Sequence, residues 1–147
     1  MNISKTNKIS IAITHADGVA GSADIEGATL DMSGWEGVLM LVTFGVITSG
    51  AVTAITAQQG AASDLSDATN LLGTGQTIAD DDDEQTFFID LFRPEERYVR
   101  LHVDRATQNA VVASATYIQY GPTRKAPVTH GTNVSGETHV SPIEGTA

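Results

Sequence analysis

A chain of 147 residues with 41% hydrophobic content suits one domain around a single core, and an aromatic share of only 5% favours thin β packing over a helical bundle. Eighteen acids against eight bases leave a net charge of −10, which repels phosphate backbones and anionic membrane surfaces and sets nucleic acid and membranes aside as partners. There is no cysteine, so neither disulfides nor thiolate-held metals contribute and stability must come from burial and association.

The opening Met1-Asn2-Ile3-Ser4-Lys5-Thr6-Asn7 has no apolar signal core, and the longest apolar stretch, Val38 to Val42, is far short of a membrane span. Synthesis and residence in the cytoplasm are expected. Lys8 to Thr14 alternates with period two, its isoleucines facing one way and Lys, Ser and Thr the other, which predicts a half-buried strand. Turns follow at Ala16-Asp17-Gly18 and Ala20-Gly21-Ser22, then a short strand within Ala23 to Leu30. Trp35, the single tryptophan, leads into Val38 to Ile47, whose near-continuous apolar character predicts a strand at the centre of a sheet, buried on both faces.

Ala51 to Gln58 is β-like, although its alanines leave a helical turn open, and Ser63 to Thr77 reads as a loop with one short element. Thr86 to Phe92 is a strand that ends at Arg93-Pro94, because proline cannot donate to a ladder. Tyr98 to Asp104 alternates cleanly, placing Val99, Leu101 and Val103 toward a core and Tyr98, Arg100, His102 and Asp104 away from it. After a tight connection at Thr107-Gln108-Asn109, Ala110 to Tyr120 is a long strand with Val112, Tyr117 and Ile118 as candidate buried residues. Seven or eight strands at short spacing and almost no helix predict an all-β fold closing as a β-sandwich or jelly roll over residues 1–120.

Residues 121–147 hold three of the four prolines, no aromatic side chain and only scattered apolar anchors at Val128, Val134, Val140 and Ile143, so they cannot build a core. Tyr120 closes the preceding domain. At ~3.3 Å per residue such a segment extends on the order of 90 Å, which suits an arm reaching neighbours as well as a loose terminus.

Motif by motif, catalysis finds little support. Asp80-Asp81-Asp82-Asp83-Glu84 has the oxygen donors of a cation site, with Asp80, Asp82, Asp83 and Glu84 as its candidates. It lacks the alternation and glycine of a calcium loop and reads as a solvated, self-repelling loop, so no metal or other cofactor is assigned. His15, His102, His130 and His139 show no metal-binding spacing, and His102 beside Arg100 and Asp104 suits a cross-strand polar contact. No Gly-x-Ser-x-Gly elbow presents a nucleophile, Gly73-Thr74-Gly75-Gln76-Thr77 lacks the ending of a phosphate loop, and Glu95 and Glu96, adjacent on a strand, point oppositely and cannot flank one bond. The expectation is a protein that is not an enzyme. Arg93, Arg97, Arg100 and Arg105 fall close together, as a positive patch at an interface or in pairs with Asp90, Glu95, Glu96 and Asp104.

Arg93-Pro94-x-x-Arg97-Tyr98-Val99-Arg100, then Arg105-x-Thr107-Gln108-Asn109-Ala110, then Gln119-Tyr120-Gly121-Pro122, the basic pair Arg124-Lys125 and Ala126-Pro127 form a pattern, and the ending Ser141 to Ala147 belongs with it. This part of the chain resembles the C-terminal part of a family of small tailed-bacteriophage virion proteins, the capsid cement or decoration proteins. The resemblance implies a jelly-roll-like domain that forms a dimer or trimer, binds the outside of the major capsid shell and stabilises it against internal pressure, with the virion as its location and no catalytic residues. Candidate contacts to the capsid or to other copies are Arg93, Arg97, Arg100, Arg105, Tyr120, Arg124, Lys125, Val128, Val134 and Val140. The alternative is a carbohydrate-binding sandwich on the virion surface, for which Trp35, Tyr117 or Tyr120 would supply aromatic platforms.

Overall fold

The computed structural model of the protein describes residues 2–123, 128–141 and 143–146. One helical turn, α1 (Ile3–Thr6), precedes β1 (Lys8–Ile13), the two-residue strands β2 (Ile25–Glu26) and β3 (Leu30–Asp31), and the long β4 (Trp35–Ile47). Next come β5 (Val52–Gly60), β6 (Thr69–Asn70), β7 (Gln76–Ile78), β8 (Thr86–Phe92), β9 (Tyr98–Ala106) and β10 (Ala110–Pro122). They form two antiparallel sheets, one of four strands in the order β1-β10-β4-β8, the other in the order β2-β9-β5-β6 with β3 also on β9 and β7 also on β5. The protein is an all-β sandwich.

Period-two patterning builds the core between the sheets. Val99, Leu101 and Val103 of β9, with Ile55 and Ala57 of β5, face Val38, Met40, Val42 and Phe44 of β4 and Val112, Ala115 and Tyr117 of β10, all of them buried. Each large aliphatic or aromatic side chain so placed is worth about 1.5–3 kcal/mol. The stretch Ala51 to Gln58, where a helical turn was open, is strand from Val52 onward, because Ile55 and Ala57 occupy the inward positions opposite Val103 and Leu101.

Tyr117 ties the layers together. Its ring stands on β10 inside the core, and its Oη accepts the Leu101 N–H of β9 at 2.8 Å. β2 and β3 pair with β9 on either side of this point, at Val103/His102 and at Val99/Tyr98, so the tyrosine serves a backbone donor in the gap between them. Gly27 fills the rest of the gap, donating to Leu101 O, and a methyl group there would lie 2.7 Å from both Leu101 O and Tyr117 Oη.

Three expectations change. β4 is central as expected but buried on one face only, since Leu39 and Leu41 are half-buried on the outer side and Val46 is exposed. Ile118 likewise faces outward beside Leu39 and is not a core residue. In β1 a bulge between Ile11 and Ile13 breaks the alternation: Ile9 and Ile11 sit on the outer side against Ile118 and Thr116, and only Ile13 turns inward. The boundary at residue 120 also moves, because β10 continues to Pro122 and Thr123 N–H still bonds Gly34 O.

Candidate functional site

The four clustered arginines are distributed by strand phase and do not make one patch. Arg105 occupies an inward position of β9, is 7% exposed, and donates to the carbonyls of Ala23, Val19 and Ala110 at 2.7–2.8 Å. Desolvation lowers its pKa, with the nearby Asp24 acting the other way. Its guanidinium pins the segment 19–23 to the β9–β10 turn and is not available to a partner, which removes it from the expected contact residues. Arg100 is largely covered, bridging both carboxylate oxygens of Glu26 and Gln58 Oε1 on the outer face of the second sheet.

Arg97 makes a two-bond pair with Asp31 at 2.7 and 3.0 Å and lies over the Tyr98 ring. That guanidinium holds the Asp31 carboxyl below the usual carboxylate range, against a smaller opposing effect of burial. Arg93, where φ is +51°, is exposed over the Phe92 ring and 3.8 Å from Glu36. The acids that pair are thus Glu26, Asp31 and Glu36, brought from earlier strands, and not the near neighbours Asp90, Glu95, Glu96 and Asp104. Sheet pairing, invisible in local spacing, decides this.

The acidic run is a set of backbone caps. Asp83 accepts the Ile47 N–H and Asp80 the Gly50 N–H, both at 2.7 Å, so the loop fastens the β4–β5 turn, while Asp82 accepts from Ala79 N–H and the Gln85 amide. Asp80, Asp82, Asp83 and Glu84 therefore do not converge on a shared point, and the loop is bonded to its surroundings instead of being held apart by its own charge.

Among the described residues, three potential metal ligands gather only at Asp24, His102 and Asp104, whose donor atoms lie within 4.8 Å of one another. His102 Nε2 faces Asp104 Oδ1 at 3.2 Å along one strand, not across strands, and its Nδ1 is buried without a partner. A cation on Nε2 would fix the proton on that buried Nδ1 with no acceptor. Asp24 already accepts the Arg105 N–H. The donor set fits a hydrogen bond between His102 and Asp104 better than a metal.

The two sheets present unlike outer faces. On the second sheet the outward rows are polar: Glu26, His102 and Thr56 across β2, β9 and β5, then Arg100, Gln58 and Asn70 across β9, β5 and β6. On the four-stranded sheet the rows read Ile9, Ile118, Leu39, Asp90 and then Ile11, Thr116, Leu41, Phe88. Below them Tyr120 lies across Gly37, whose missing side chain leaves room for the ring, and Phe92 follows. Phe88 and Phe92 are 58% and 56% exposed. Asp90, the one charge in these rows, accepts the Tyr120 hydroxyl at 2.6 Å. Burial first and Asp90 second push the Tyr120 pKa up to about 12. This apolar face escaped the sequence reading because Leu39, Leu41 and the isoleucines were assigned to the core.

The described part of the C-terminal segment docks along α1 and β1. His130 Nδ1 accepts the Ile9 N–H at 3.1 Å and Gly131 N–H donates to Ile9 O at 2.8 Å, which occupies the open edge of β1 opposite β10. Ser4 and Thr138 hydroxyls meet at 2.6 Å, and Val128 and Val134 are half-buried nearby. Beyond this Val140 and Ile143 are 89% and 95% exposed. Arg124 and Lys125 lie outside the described residues. Of the aromatics considered for sugar binding, Tyr117 is in the core and unavailable, Trp35 packs partly against it, and Tyr120 is engaged by Asp90. No helix among the described residues is long and apolar enough to cross a membrane. Set against protein-family models, curated proteins and solved structures, the chain matches none of them.

Proposed function

We propose that this protein is a structural component of a bacteriophage virion, a cement or decoration protein that binds the outside of the major capsid shell and stabilises it without catalysing a reaction. The observation that carries this reading is the C-terminal segment, tethered to the sandwich at Ile9 while its apolar anchors Val140 and Ile143 stand in solvent. Apolar side chains held away from their own core suit a surface supplied by another subunit. A repeating shell multiplies modest contacts per copy into firm attachment, although ordering the arm costs entropy that those contacts must offset.

The strand orders add support at a finer level than the sandwich. The neighbour orders β1-β10-β4-β8 and β2-β9-β5 support reading the sandwich as a jelly roll, as the resemblance implies. Membership of the virion, and self-association as a dimer or trimer, belong to the same proposal.

Co-sedimentation with expanded capsids lacking the protein tests it, using the full chain and a chain ending at Thr123. Saturable binding that raises the capsid's disruption temperature, and that weakens in the shortened chain, is expected. Absence of binding at every concentration refutes the cement reading, and glycan-array binding would then favour a sugar-binding module.

A further inference from the structure

We infer that the open edge of β8 at Asp90 and Phe92 is a docking site for an extended strand of another polypeptide, which adds to the four-stranded sheet and lowers one side chain into the cavity beside it. The strand it fits runs antiparallel to β8, with a basic residue opposite Asp90 and a threonine opposite Leu91. This inference does not rest on the cement reading and holds for any partner that brings such a segment.

The backbone is the first argument. Arg93 N–H donates to Glu36 O and Phe44 N–H to Gln85 O, which fixes the odd-numbered residues of β8 as those bonded to β4. The even-numbered residues turn their N–H and C=O groups to the opposite side, where β8 has no strand neighbour. Phe88 O is capped there by the Gln76 side-chain amide at 2.8 Å, but the main-chain groups of Asp90 and Phe92 have no such cap among the described residues. The other edge of the same sheet is covered, since the C-terminal segment bonds β1 at Ile9. An open row of donors and acceptors is a template for one more strand.

The cavity is the second. Leu91 lies on the wall of a cavity of about 310 Å³ whose lining continues through Leu71, Leu72, Pro94 and Gln59 of β5. Leu71 and Leu91 pack against the core, and Leu72 stands exposed at the rim. In an added strand the residue opposite Leu91 points inward as Leu91 does, so its side chain is the one that enters. Gln59 Oε1, at an inward position of β5 opposite Val99, is buried without a hydrogen-bond partner. A threonine offers a methyl group to the leucines and a hydroxyl donor to that oxygen.

Charge is the third. Asp90 and Glu95 flank the edge, and the base beside them, Arg93, stands 3.8 Å from Glu36, so the rim is acidic on balance. A base opposite Asp90 makes a favourable cross-strand pair. Edge-to-edge pairing with a second copy about Asp90 would set like charges opposite each other, and the chain from Val128 onward carries Glu137 and Glu144 but no Lys or Arg. Neither part of another copy is the match.

The probe is the capped peptide Gly-Ile-Thr-Lys-Gly, whose Ile, Thr and Lys fall opposite Phe92, Leu91 and Asp90, titrated to about 5 mM into the full isotope-labelled chain and followed by NMR. Four main-chain bonds at their ordinary net worth place Kd near about 1 mM. Saturable shifts centred on the Asp90 and Phe92 amides are expected, with their exchange slowed about fivefold at the highest concentration. Methylating the Ile and Lys nitrogens, which face β8, should weaken binding about tenfold or more, and methylating the Thr nitrogen, which faces away, should not. Gln59→Leu, checked for folding by circular dichroism, should turn the preference from threonine to valine in the peptide. The absence of saturable shifts, shifts centred away from β8, or indifference to methylation at Ile and Lys each overturns the docking site, and an unchanged threonine preference in Gln59→Leu overturns the threonine assignment.

Discussion

Tyr117 shows how much one side chain can decide. It is an aromatic core residue and also the acceptor for a β9 backbone donor that no strand reaches. Tyr117→Phe keeps the packing and leaves the Leu101 N–H buried without an acceptor, so a loss of about 1–3 kcal/mol is expected in a urea unfolding curve. A change under about 0.3 kcal/mol would mean that the bond contributes nothing net. A second prediction concerns acid. Asp31 titrates below its unfolded value because of Arg97, so its contribution is present above about pH 4 and fades as the pH falls through the lowered folded pKa. Both groups are largely solvated, which keeps the effect small. Asp31→Asn should therefore lower the urea midpoint slightly at pH 7 and not at all near pH 2; an equal deficit at both pH values would assign the effect to packing.

At the scale of elements, the acidic run behaves as the fastening of a turn. Asp83 caps Ile47 at the end of β4, while Asp81 stands exposed with its carboxylate in solvent. Asp83→Ala should cost about 0.5–1.5 kcal/mol and Asp81→Ala close to nothing or a slight gain from reduced repulsion, read as paired melting curves. Equal effects would return the run to a simple solvated loop. A bulge has a comparable reach: one extra residue in β1 turns Ile9 and Ile11 outward, and that row is a quarter of the apolar face.

For the whole molecule, the sandwich and the C-terminal segment are separable in energy. Ending the chain at Thr123 removes two hydrogen bonds to Ile9, the exposed Ser4–Thr138 bond and a few flanking contacts, so a loss of about 1–3 kcal/mol is expected with the cooperative transition intact. The Ile9 amide should at the same time lose its protection from hydrogen exchange. An aggregated or unfolded product would show that the segment belongs to the core. The unlike outer faces follow from the same architecture, polar where β9 alternates cleanly and apolar where β4 carries apolar residues at both phases.

The long strands and the phase of β9 were legible in the residues alone, because alternation with period two is a local signal and Val99, Leu101 and Val103 express it without ambiguity. The all-β class followed from counting such runs. The rest was set by strands meeting in space. Which acid meets Arg97 or Arg100 depends on strand pairing across tens of residues, and whether Leu39 faces a core or solvent depends on whether a second layer covers that side. A continuous apolar run carries no phase, so β4 reads as doubly buried until its neighbours are in place. Arg105 looked like its three neighbours in the sequence, and one inward position on a strand separates a surface charge from an interior clamp.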